Sequence, residues 1–102
     1  MATLEQLTEK IAAAVAVSDP LPHVVKLDLK GSGFIHIDGV KVSNEDAPAD
    51  LIVTVSLDDL VALGRRQLDP ATALMRRRLR MSDMGLAMSL QSKIQALFAQ
   101  AA

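Results

Sequence analysis

From residue 4 onward, Leu4, Leu7, Ile11, Ala14 and Val15 recur at intervals of three and four. That spacing gathers apolar side chains on one face of a helix. Thr3 and Gln6 stand where a capping box needs them, the threonine capping the first turn and the glutamine reaching back. A first helix is therefore expected to run to about Val17, where Ser18-Asp19-Pro20-Leu21-Pro22 ends it, because two prolines so close cannot continue a helix. The period then falls to two. Val25, Leu27 and Leu29 alternate with Lys26, Asp28 and Lys30, Gly31-Ser32-Gly33 supplies a hairpin turn, and Phe34 to Asp38 returns with Ile35 and Ile37 on one face. Gly39 breaks this strand, and Lys41-Val42-Ser43 reads as a short third one. After the acidic loop Asn44 to Pro48, Leu51 to Val55 is β-branched and nearly unbroken, as in a strand from the interior of a sheet.

The second half reads mainly as helix. Ser56 precedes Leu57-Asp58-Asp59, with Leu60 and Leu63 as the apolar face and Gly64 near the end. Asp69-Pro70 starts a short helix through Met75, an N-cap followed by proline at the first helical position. Arg78-Leu79-Arg80-Met81 alternates as a last strand, and Ser82 or Asp83 caps one long final helix from Met84 to about Gln100. Helices segregated beside a mainly antiparallel sheet define an α+β fold. At 102 residues, without internal repeat or linker, the chain is expected to be one domain over 1–102.

Composition removes several function classes. The chain has no cysteine, hence no disulfide or thiolate chemistry, and no run approaches the length that spans a bilayer. The first residues lack the basic and apolar segments of an export signal, so a cytoplasmic location is the default. Phe34 and Phe98 are the only aromatic residues, which leaves little to stack on bases, sugars or planar cofactors. Ser56 and Asp58 are explained by helix capping. His36 and Asp38 share a strand face but read as surface residues, since two ligands do not make a metal site. With no nucleophile, base and orienting group to assemble, no enzymatic activity, metal or cofactor is expected.

Net charge is −1, yet all six arginines lie between Arg65 and Arg80, while residues 1–59 carry four lysines against ten acids. Nucleic acid is not the expected partner, because it calls for a broad positive face and, for single strands, stacking residues within it. Arg76, Arg77, Arg78 and Arg80 suit a carboxylate, a phosphate or anionic headgroups of a membrane, or else an outer face paired with the acidic half.

Apart from the initiator, every methionine falls within fourteen residues: Met75, Met81, Met84 and Met88. Methionine deforms to fit varied apolar shapes. Leu74, Leu79, Leu86 and Leu90 stand beside them, and the start of the final helix is apolar over more than one stripe. Such a helix is expected to be covered on two sides, by the sheet on one and by an apolar ligand, another helix or a partner chain on the other. On periodicity alone, methionines at helical spacing are more often ordinary core than a binding pocket.

Three pieces between Asp50 and Gln91 decide between these readings. A strand ending in Ser56, an acid-rich helix start and Leu60-Val61-Ala62-Leu63 form the first; Leu68-Asp69-Pro70 with Ala73 and Met75 the second; Leu79 to Leu90 around Met84-Gly85-Leu86-Ala87-Met88 the third. Together, in this order, they resemble the sterol carrier protein type 2 family. The resemblance implies a five-stranded sheet with helices over one face and an apolar tunnel between the layers. It also implies non-enzymatic binding, and transfer, of a fatty acid, fatty acyl-CoA, sterol or other lipid. On this basis Leu60, Leu74, Met75, Leu79, Met81, Met84, Met88 and Phe98 are expected to contact the ligand, and Arg76, Arg77, Arg78 and Arg80 a headgroup or membrane. Domains of this resemblance also serve as accessory or dimerisation modules beside enzymes of hydrophobic substrates such as quinones, with a protein partner or a second copy on the methionine face. The chain departs from the family pattern in carrying Arg66 and Arg77 where glycine is frequent. It ends Ala-Gln-Ala-Ala rather than in the Ser-Lys-Leu peroxisomal address, which fits a compact, bacterial-type member.

Overall fold

A computed structural model describes residues 3–17 and 21–101, without the side chains of Phe98, Gln100 and Ala101. The break expected over Ser18 to Pro22 thus falls largely outside the described residues. Along the chain come α1 (Leu4–Val17), β1 (Val25–Asp28), β2 (Phe34–Asp38), β3 (Lys41–Ser43), β4 (Leu51–Val55), α2 (Leu57–Gly64), α3 (Pro70–Met75), β5 (Leu79–Met81), α4 (Met84–Ser89) and α5 (Gln91–Ala101).

Local chemistry starts most helices. The Thr3 N–H donates to Gln6 Oε1 at 3.0 Å and the Gln6 N–H to Thr3 Oγ1 at 3.2 Å, a complete capping box. Ser56 accepts from the Asp59 N–H, Asp69 from that of Thr72 and Asp83 from that of Leu86, each at 3.1 Å. Each satisfies a backbone donor that the first turn leaves free.

The sheet runs β3-β2-β1-β4-β5 and is antiparallel except for the parallel pair β1–β4. Register places Leu27 beside Ile35 and Val53, and Val53 beside Met81, so one face is continuously apolar. The helices cover that face. Leu7 and Ile11 of α1, Leu60 and Leu63 of α2, and Ile94 and Leu97 of α5 join Val25, Leu27, Ile35, Ile37, Leu51, Val53 and Val55 in one buried cluster. Gly33, at φ 125°, closes the β1–β2 turn under Leu4; a Cβ there would lie 2.6 Å from Leu4 Cδ2.

After β3 at one edge, the chain must reach the far side of β1 to form β4, and residues 44–50 carry it across the outer face. Asp46 meets Lys26 Nζ at 2.6 Å, and Pro48 O lies 3.0 Å from His36 Nε2. His36 is consequently buried, contrary to the surface position expected for it, because the crossing loop covers it.

The final helix is two helices rather than one. Leu90, at φ −101° and ψ 3°, leaves helical geometry at the end of α4, and α5 begins at the next residue. Ala87, Leu90, Ile94 and Leu97, at helical spacing across the break, are all buried in the core.

Two helices end on arginine in the left-handed region. Past α2, the N–H groups of Arg66 and Gln67 donate to Leu63 O and Ala62 O; past α3, those of Arg77 and Arg78 donate to Leu74 O and Ala73 O. Both are Schellman motifs, with Arg66 (φ 61°) and Arg77 (φ 57°) at the position that favours glycine.

Candidate functional site: an apolar cleft rimmed by methionine

Where α3, β5, α4 and α5 meet, a cleft of about 120 Å³ opens to solvent. Leu74 comes from α3 and Leu79 and Met81 from the inner face of the edge strand β5. Met84, Ala87, Met88, Gln91, Ile94 and Gln95 come from successive turns of α4 and α5, and Pro70 completes the wall. Leu79, Ala87 and Ile94 are buried and form its floor. The rim is exposed: Met84 is 48% accessible and Met88 70%.

Five of the expected ligand contacts therefore converge: Leu74, Leu79, Met81, Met84 and Met88. Leu60 does not join them, being fully buried in the core. Met75 projects into solvent at 85% exposure instead of lining the cleft. Phe98 belongs to α5, but the contact expected of its side chain lies outside the described residues. The outer flank of α4, expected to be covered, is open at Met84 and Met88. Ala87, Gln91, Ile94 and Gln95 were not singled out from sequence, although their spacing from Met84 follows one helical face.

The arginines separate into distinct settings. Arg78 makes a bidentate pair with Asp59, Nε donating to Oδ2 at 3.2 Å and Nη2 to Oδ1. The Asp59 side chain is 11% exposed and that of Arg78 45%. The hydrogen bonds from Arg78 are the main cause holding the Asp59 carboxyl below its usual range, against the opposing effect of burial. Arg78 is thus tied to the start of α2. Arg80 is exposed on the outer face of β5, in register with Thr54. Arg76 and Arg77 are exposed in the turn after α3, and among the described residues no acid pairs with them or with Arg80.

Among the described residues no group of three or more His, Cys, Asp or Glu side chains is placed to hold a metal ion. No helix there is long and apolar enough to cross a membrane. The family model of the SCP-2 sterol transfer family matches residues 2–95. The chain belongs to the SCP-2 sterol transfer family.

Solved SCP-2 structures share its architecture. Sterol carrier protein 2 like 2 from Aedes aegypti is 30% identical, with TM-score 0.72 over 85% of this chain and 92% of that one. The solution structure of palmitated SCP2L2 from Aedes aegypti is 28% identical, with TM-score 0.68 over 91% of this chain and 95% of that one. The SCP-2 fold also appears in a UbiJ-SCP2 ubiquinone synthesis protein at 20% identity, with TM-score 0.52 over 89% and 74% of the two chains. No curated protein sequence matches this one.

Proposed function

We propose that this protein is a non-enzymatic carrier that takes the chain of a fatty acid or similar lipid into the cleft between α3, β5, α4 and α5. The carrying observation is the cleft itself, with its buried apolar floor and exposed methionine rim. Membership in the SCP-2 family and the palmitate held by the Aedes aegypti relative support the reading.

Physical magnitudes support it too. Each buried methylene contributes about 0.8 kcal/mol, so roughly ten give on the order of 8 kcal/mol before ordering costs. Because micromolar binding requires roughly 8 kcal/mol net, a longer buried stretch of chain or a contact to the carboxylate has to offset the ordering costs. At about 120 Å³ the cleft is smaller than the 300–1,000 Å³ usual for ligand sites. Binding a long chain therefore requires the side chains around the cleft, methionines among them, to rearrange and open it toward the tunnel expected from the resemblance. Three rotatable bonds make methionine suited to that movement.

Titration with palmitate tests the reading. Ala87→Met, which fills the cleft from its floor, is expected to weaken palmitate binding at least about tenfold, a difference of 1.4 kcal/mol, and a cooperative thermal melt of the ligand-free variant distinguishes that from loss of fold. Equal affinity in the variant would sink the proposed location. The second reading, a module whose methionine face meets a protein, is favoured by the same exposure of Met84 and Met88. Native mass spectrometry separates the two: palmitate on a monomer supports the carrier, and a lipid-free dimer supports the module.

A further inference from the structure

We propose that the turn joining Leu74 to Leu79 docks the protein on an anionic bilayer, turning the mouth of the cleft toward the lipid; this deepens the carrier reading and rests on it. Leu74 and Leu79 both line the cleft, and residues 75–77 form the exposed turn that connects them. Met75 is the most exposed of the methionines described, at 85%, and Arg76 and Arg77 follow it directly. The geometry of this turn is fixed: Arg77 is held at φ 57° by the bonds that close the Schellman motif. An apolar side chain flanked by two cations is the chemistry that an interface of acyl chains beneath anionic headgroups recognises.

Charge accounting singles out Arg76 and Arg77. Arg78 is already neutralised by Asp59. Arg80 lies on the outer face of the sheet, away from the inner face that Leu79 and Met81 give to the cleft. The two acids nearest in sequence, Asp69 and Asp83, are engaged as helix caps. A second copy of the chain fits this surface poorly, because a two-fold contact sets the same patch against itself and brings two basic turns together.

Co-sedimentation with vesicles tests the proposal, using phosphatidylcholine alone and an equimolar mixture with phosphatidylglycerol. Wild type is expected to bind the mixed vesicles, more weakly as salt rises, and to bind neutral vesicles far less. Arg76→Ser with Arg77→Gly should weaken binding to mixed vesicles by about 10- to 30-fold. Glycine suits the backbone at residue 77, so loss of fold does not account for that result. Lys10→Ser with Arg65→Ser removes the same charge from the groove between α1 and α2, which shares no lining residue with the cleft, and should retain most of the binding. Equal loss in both double variants would reduce the effect to net charge and overturn the docking site, as would wild type that ignores the mixed vesicles. Monomeric palmitate, titrated without vesicles, is expected to bind the Arg76/Arg77 variant as it binds wild type. Failure of wild type to bind palmitate would strike the carrier reading, whereas failure at the vesicles alone would strike only the docking surface.

Discussion

Arg78→Met is expected to lower the melting temperature by about 10 °C, more than twice the loss from Asp59→Asn. Leaving a buried charged group without its partner costs about 1–3 kcal/mol or more, and each kcal/mol shifts a domain of this size by about 4–8 °C. The asymmetry follows from exposure: the Asp59 side chain is 11% accessible and that of Arg78 45%. Without Arg78 the carboxylate is stranded beneath α2; without Asp59 the guanidinium turns to water. Thermal melts of the two variants at neutral pH check the order, and an equal or reversed order would place the cost on the arginine. A pH series adds a second reading. Hydrogen bonds from Arg78 depress the Asp59 pKa in the folded protein, so the pair stabilises fully above about pH 4, the usual value for an unfolded aspartate. Its contribution is lost as pH falls from there through the depressed folded value. Wild type should lose stability over that acid range more steeply than Arg78→Met does.

The double variant Arg66→Gly with Arg77→Gly is expected to melt about 5–10 °C above wild type. Left-handed backbone costs a residue with a Cβ roughly 1–2 kcal/mol, of which glycine's greater freedom in the unfolded chain takes back about half. Each site therefore gains about 0.5–1 kcal/mol, and the sites lie past different helices, so the gains add. Urea unfolding should show a higher midpoint with an unchanged slope. No gain would mean that the arginine side chains return, through contacts of their own, what their backbone loses.

What was legible in the sequence is what a few consecutive residues decide. The Thr3–Gln6 box, the caps at Ser56, Asp69 and Asp83, the alternation in β1 and β2 and the β-branched run of β4 are local signals, and the structure carries each of these elements. Five of the cleft's side chains were legible for a related reason, since methionine and leucine at helical and strand spacing mark an apolar face. What stayed hidden depends on partners distant in the chain. Nothing near Asp59 announces that Arg78, nineteen residues on, will neutralise it. Lys26 and His36 look like solvent-facing strand residues until the 44–50 crossing covers them, and that crossing exists only because β4 pairs with β1 rather than with β3. The break at Leu90 has no proline or glycine to mark it, and the apolar spacing runs on through it from Ala87 to Leu97. Arg66 and Arg77 were visible as departures from the family pattern, but their left-handed backbone becomes apparent only where the helices end.

The packing of α1 against α5 bears on how the chain folds as it is made. Leu7, Ile11, Ala14 and Val15 form the apolar face of α1, and part of its cover is α5, which begins only at Gln91. A growing chain thus leaves one side of its first helix uncovered until α5 has been made, and the parallel β1–β4 pair must also wait for a long loop to close. Until α5 emerges, the uncovered apolar side of α1 is the surface most open to aggregation and to chaperone capture.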